Sequence, residues 1–537
     1  MKHALIALLL SAAATAGFAQ AGPAAPERTD IVVPELILRV EELQVQRITA
    51  PLPTEGELAL GRVSIALPAP GELVFDDSAF VVDAPGRTPI VPGSSVFSTG
   101  RLGAGSSNHI VGELTLFKLG EDPRFRLGFG YEGIDGYQFR SAGTGFFRTT
   151  NRVDGSIAAA TDTTRFDANG SFTDRADGLQ GVTDFFSVGV RRTQVDATLE
   201  YRPDPLIAIT SSVDGTLSTR IQSTSESSEV PREREYSLLP DIEARISVAA
   251  VDIVFGTSYF LRFFPDGSLP FTHDIDASAG IDLDLPIVQA MVRGGVRWDF
   301  ATRIAYPWSA RLGVLIADRV DAAVFGGLRV DRTRYADVWA EVPLLAVGAE
   351  DGQLRQNQEW FGGASARWSG PSGLAVSTEV EYTWSDARID VAGLTEQSVY
   401  SFVQRPLSSL RVSSRAGWRV SPTFSIQTGW TGRFIDTVAG MPSGAIDGVL
   451  AWSDPSGRFG LSGEVSSGFY PEPTLPRVGV TGSYVIADGV EIDLELVDLL
   501  APLLGERGRP AFGPMLGDRF PFIEPGLRGS LITRISL

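Results

Sequence analysis

The chain has 537 residues, no cysteine, three histidines, 58 glycines, 33 prolines and a net charge of −19. The missing cysteine excludes disulfide scaffolds, thiol nucleophiles, iron–sulfur clusters and cysteine zinc sites. The acidic balance gives no basic face for nucleic acid, although nearly all the cations are arginine, with only Lys2 and Lys118 as lysines.

Residues 1–21 carry a basic start at Lys2, an apolar run over 4–16 and small residues at Gly17, Ala19 and Ala21. This is the layout of a secretory signal, cut after the Ala19-Gln20-Ala21 triplet. About 13 apolar residues are too few to span a bilayer, so the segment is not read as an anchor. No later stretch is apolar for ~18 residues, so no transmembrane helix is expected.

Residues 22–94 follow as VVPELILRVEELQVQRI and then APLPTEGEL, IALPAPGEL and DAPGRTPIVPG. Prolines at 34, 51, 53, 68, 70, 85, 89 and 92 forbid a long helix and interrupt ladders. Leu36, Leu38 and Val40 alternate with Ile37, Arg39 and Glu41, which suits one strand. The segment reads as a proline-rich arm, either mostly extended or a loose spacer.

From residue 95 to 537 the pattern has a period of two. In 123–131, Phe125, Leu127, Phe129 and Tyr131 share one face, opposite Arg124, Arg126, Gly128 and Gly130. In 374–384, Leu374, Val376, Val380, Tyr382 and Trp384 oppose Ser377, Glu379, Glu381 and Thr383. The stretch from Arg411 sets Val412, Ala416, Trp418 and Val420 against Arg411, Ser413, Arg415 and Arg419. Residues 292–300, 424–434, 459–465 and 490–496 repeat the pattern. Such alternation marks strands with one apolar and one polar face.

The connections alternate in length. Short turns stand at 202–205 (RPDP), 284–287 (DLPI), 369–373 (SGPSG), 420–423 (VSPT), 454–457 (DPSG) and 488–489 (DG). Long polar stretches lie between them, near 221–235, 264–273, 333–358, 386–408, 436–445, 468–476 and 500–525. Tight turns at one end and long loops at the other belong to an outer-membrane up-and-down barrel. With that phase, residues 95–537 make an all-β transmembrane antiparallel barrel of about 22 strands, within a range of 18–22. The last strand places Leu527, Gly529, Leu531, Thr533, Ile535 and Leu537 on one face, ending the chain on an apolar residue. Outer-membrane barrels end this way, and the end is their signal to the barrel assembly machinery. Outer-membrane lipid is thus the first expected partner.

The closing segment GRPAFGPMLGDRFPFIEPGLRGSLITRISL (508–537) resembles the end of a TonB-dependent outer-membrane receptor. The segment GAGSSNHIVGELTLFKLGEDPRFRLGFGYEGIDGYQF (103–139) resembles early barrel strands of that family, and twenty-two is the family's strand number. Thr29, Asp30, Ile31, Val32 and Val33 resemble a TonB box. The resemblance implies solute transport through a gated barrel. It covers the barrel alone, because residues 22–94 do not read as the globular plug that such receptors carry. Two rivals stay open: a passive, porin-like channel, and a barrel that anchors a periplasmic partner through residues 30–93. The solute is unknown from sequence.

No enzyme is expected, and no catalytic, cofactor-binding or metal-binding residue is assigned. His109 and His273 remain after the signal, each read as an ordinary polar residue. Arg411, Arg415, Arg419, Glu379 and Glu381 are candidates to line the lumen, either paired with one another or along a solute path. Trp384, Trp418, Trp430 and Tyr484 suit membrane-interface girdles. The glycine-rich loop DGYQFRSAGTGFF (135–147) suits ligand contact, infolding or plain loop packing. A barrel this wide has a lumen that side chains cannot fill, so the arm, infolded loops or a partner must occlude it.

Overall fold

The computed structural model describes residues 96–537, apart from 119–122, 138–139, 226–228, 268, 300–302, 317–318, 333, 348–356, 371–372, 395–398, 437–442, 471 and 510–521. The signal, the arm and the TonB-box-like residues 29–33 lie outside the described residues.

Among the described residues, twenty-four strands form one antiparallel sheet, and the first, Val96–Gly105, pairs with the last, Arg528–Ser536. Two of the twenty-four, Arg303–Ala305 and Glu472–Pro473, are stubs pairing only with the upper ends of their neighbours. The remaining twenty-two close the ring, as the alternation leads one to expect. Closure leaves no edge, so each strand's backbone is satisfied by its two neighbours. At the seam Leu537 and Ser98 exchange both backbone hydrogen bonds, 2.9 and 2.8 Å.

The short turns fall where their prolines, glycines and aspartates stand. Gly373, Gly457 and Gly489 take positive φ there, a region costly for other residues. In the turn at 454–458 the Asp454 carboxylate accepts from the Ser456 hydroxyl and the amides of Arg458 and Phe459. The Ser456 bond comes first among the causes that hold this carboxyl below its ordinary range.

One face of the wall is apolar all the way round. Leu114, Phe129, Val153 and Phe172 stand opposite one another on four consecutive strands, all exposed or half-exposed. Near the long-loop ends, Trp308, Leu328, Trp360 and Trp384 form a second rung, with Trp298 near the same end of its own strand. At the short-turn ends stand Trp368, Trp418, Trp452, Phe459 and Tyr484, Phe459 paired with Tyr484 and 5.8 Å from the Trp452 ring. Trp384, Trp418 and Tyr484 therefore sit at the two rims, whereas Trp430 lies midway along Phe424–Ile435. Eight of the nine tryptophans are exposed on this face; the ninth, Trp339, is wholly buried elsewhere. An apolar belt between two aromatic girdles on the outside of a closed barrel is built for a bilayer, and such barrels belong to outer membranes.

Two stretches expected as loops are largely ladder. Strands Ile207–Ser223 and Glu229–Val248 run on through much of 221–235, and Leu374–Leu394 and Tyr400–Ser421 through most of 386–408. Above the bilayer neither face need be apolar, so the alternation fades while backbone pairing continues. Bulges at Ser385/Arg388 and Arg220/Ile221 mark these extensions.

Candidate functional site: the loop core at the long-loop end

Among the described residues, a buried apolar cluster lies at the long-loop end, where loops meet the upper ends of wall strands. It joins Leu179, Val188, Val190, Phe264, Leu269, Tyr335, Trp339, Leu344, Leu345, Val391, Tyr400, Phe402 and Phe522. These residues come from strands and loops far apart around the ring, so they meet only because loops fold inward over the opening.

Its centre is the helix Tyr335–Glu341, seven residues between Arg334 and Val342. A helix this short is marginal alone, and Arg334 offers no side-chain cap. The wall supplies one. The Glu235 carboxylate accepts from the amides of Tyr335 and Ala336 at 3.0 and 2.6 Å, satisfying donors that a helix start leaves orphaned. Tyr335 and Trp339, four apart and so on one face, are 0% exposed.

Ion pairs fix the loop to the same stretch of wall. Arg334 binds Asp214 at 2.5 Å and Thr216 at 3.3 Å. Asp337 pairs with Arg192 at 2.9 Å, and Arg332 with Asp274 at 2.6 Å. Arg220 holds Glu233 through one guanidinium edge, Nε and Nη2, at 2.7 and 2.6 Å, and donates from Nη1 to the Leu345 carbonyl at 2.7 Å. The loop then returns to another strand, where Leu345 and Tyr400 form a parallel bridge.

A second loop meets the first. Gln180 and Ile523 exchange two side-chain-to-backbone hydrogen bonds, 2.8 and 3.0 Å, carrying Phe522 into the cluster. Arg509 braces this last loop, gripping Asp498 at 2.5 and 2.6 Å and the Pro476 carbonyl at 2.8 Å. The glycine-rich loop from 135 packs locally: the Asp135 carboxylate accepts from the Gly143 amide at 3.1 Å, and Tyr137 is buried.

The five lumen candidates share the face opposite the apolar one. Val380 pairs with Val412 on the outside, while Glu379 faces Ser413, Glu381 faces Arg411, and Ser377 faces Arg415. Arg411 reaches Glu379 at 3.5 Å, but Glu381 turns to Arg329 at 3.4 Å, which also holds Glu359. Arg419 stands opposite Ser425, apart from these pairs. His109 is buried at the seam, 2.6 Å from Ser530 Oγ and 3.3 Å from Glu132, which also holds Arg528. His273 contacts the Tyr259 hydroxyl at 3.1 Å.

Sequence reasoning passes over Glu235, Arg220 and the helix. The available signal is the run YADVWAEVPLLAV at 335–347, too apolar for a loop that only meets water.

No protein-family model matches the chain, and no curated protein matches it significantly. Solved structures do. The ferric enterobactin receptor PfeA of Pseudomonas aeruginosa aligns with TM-score 0.62 at 9% identity, over 83% of this chain and 81% of that one. The siderophore receptor PirA of Acinetobacter baumannii gives 0.61 at 10%, over 83% and 81%. The copper transporter OprC gives 0.61 at 9%, over 82% and 80%. At such identities the likeness concerns the fold, which is the barrel expected from the resemblance to TonB-dependent receptors.

Proposed function

We propose that this outer-membrane barrel moves a solute across the membrane through a lumen that is gated at its outer mouth. The observation that carries the reading is the closed apolar core of infolded loops. A passive channel gains nothing from burying Trp339 and Tyr335 across its opening. The solved barrels of similar fold are receptors and a transporter, which favours transport over an anchoring role and over catalysis. Arg411, Arg415, Arg419, Glu379 and Glu381 then line the aqueous path below the mouth as mostly paired charges. Residues 29–33 and the arm 30–93 serve as the contact for a periplasmic partner that supplies the drive.

Planar-bilayer conductance tests the reading. The full chain should give small or rare openings, and a steady, porin-sized conductance would contradict gating. Deleting residues 30–93 should abolish co-purification of a periplasmic partner while heat-modifiable migration persists. Loss of neither partner nor transport makes the arm a spacer.

A further inference from the structure

We propose that the segment from Arg334 to Val347 is a displaceable lid, and that the wall patch beneath it binds a neutral, hydroxyl-rich solute of saccharide chemistry. The inference rests on the gated-transport reading and names the site and solute class for it.

The patch is defined by register. Ser218 stands between Arg192 on one neighbouring strand and Glu235 on the other. Arg192 grips Asp337, and Glu235 caps the helix, so Ser218 lies directly under it. Thr216, which receives Arg334, is paired with Ser237. Gln222 lies two rungs above Arg220 and opposite Val188, a member of the mouth cluster.

The lid does not satisfy what it covers. Ser218 is 0% exposed, Gln222 3% and Ser237 6%, yet Ser218 Oγ, Gln222 Nε2 and Ser237 Oγ have no protein hydrogen-bond partner among the described residues. Buried polar groups are normally paired, and exceptions call for an explanation. A covering segment that seals two hydroxyls and an amide without bonding them is suited to leave. A ligand that bonds them is suited to replace it.

Charge sets the class of ligand. The lid carries one cation, Arg334, and one anion, Asp337, into the patch, against Asp214 and Arg192 of the wall. Lifting it frees Asp214 and Arg192 and also bares the Glu235 carboxylate that capped the helix, while Arg220 and Glu233 stay paired. The opened patch therefore has no surplus cation for an anionic chelate. It offers hydroxyls that donate and accept, an amide that donates, and a guanidinium and two carboxylates set apart. Vicinal sugar hydroxyls match that set, since each donates and accepts at once.

The test uses osmotic swelling of liposomes holding the full chain, in maltotriose or in maltotrionate, which has similar size and one carboxylate. The chain has no cysteine, so L345C/Y400C introduces a single disulfide across a paired backbone position and fastens the lid to the wall. Oxidation should slow swelling in maltotriose roughly tenfold and reductant should restore it, as expected when the competent state is removed. S218A/S237A, with heat-modifiable migration checked first, should raise half-saturating maltotriose by roughly five- to a hundredfold, the value of two lost neutral hydrogen bonds. Equal swelling in oxidised and reduced protein would overturn the lid. An unchanged half-saturation in S218A/S237A would overturn the site, and faster entry of maltotrionate the solute class. Parent vesicles that swell in neither sugar would overturn displacement of the lid by the sugar, whereas the gated-transport reading stands or falls on the conductance of the full chain.

Discussion

The arc of wall beneath the helix is tall and the arc before the seam is low, with Leu374–Leu394 and Tyr400–Ser421, of 21 and 22 residues, forming a second tall arc. Strands Ser187–Asp204, Ile207–Ser223 and Glu229–Val248 have 18, 17 and 20 residues, whereas Gly444–Ser453, Arg477–Ala487 and Val490–Val497 have 10, 11 and 8. A tilted strand crosses a bilayer in about 9–11 residues, so the low side does little more than span. The tall side rises on by roughly 3.3 Å per added residue. On that added height stand Glu235, Ser218 and Arg220, and over it lies the helix Tyr335–Glu341. One ladder thus does two jobs at two heights. Outside, within the bilayer, burial in lipid selects the side chains; above it, on the inner face, contact with infolded loops does.

Substitutions separate those jobs. The largest effect is expected at Trp339→Ala, where loss of a wholly buried aromatic costs about 3–5 kcal/mol. The loss should fall on the lid alone: trypsin should cut at Arg332 or Arg334, read by mass mapping, while barrel migration stays heat-modifiable. If the whole barrel unfolds with it, the tall side is not a separable layer.

Next comes Val380→Arg, outward-facing between Ala364 and Val412. A charge near the midplane should cost about 2–4 kcal/mol in urea titrations of vesicle-inserted protein. Glu379→Gln, one residue away on the opposite face, should cost under about 1 kcal/mol, because its contact to Arg411 is a solvated ion pair. Equal costs would mean that the faces have been assigned in the wrong phase.

Glu235→Ala should cost about 1–3 kcal/mol by stranding the amides of Tyr335 and Ala336. The readout is faster tryptic cleavage at the lid with unchanged urea unfolding of the wall. Smallest in stability, under about 1 kcal/mol, is the triple change of Arg411, Arg415 and Arg419 to serine. It should shift the reversal potential under a salt gradient toward cation selectivity. An unmoved potential would place these arginines off the conducting path.

The low, spanning layer is the part a reader of the sequence can recover. Alternation such as Phe125, Leu127, Phe129 survives because each strand meets lipid on one side whatever its partners are. Turns such as DPSG at 454–457 declare themselves through local backbone demands. The face of Arg411 and Glu379 is legible for the same reason, though Glu381 turning to Arg329 is not, since that contact depends on three strands' relative register. The tall layer is hidden. Residues 386–408 look like loop because water stands on both faces, and the helix is only seven residues long. Its cap, Glu235, lies about a hundred residues earlier in the chain. Nothing local announces that pairing.

The central claim is that the loop core shuts the outer mouth, and single-channel conductance tests it directly. The full chain is compared with one in which residues 335–346 are replaced by a glycine–serine linker of equal length, both shown to be heat-modifiable. The account predicts small or rare openings for the parent and a large, sustained conductance for the linker variant. Equal conductance from the two proteins would contradict it.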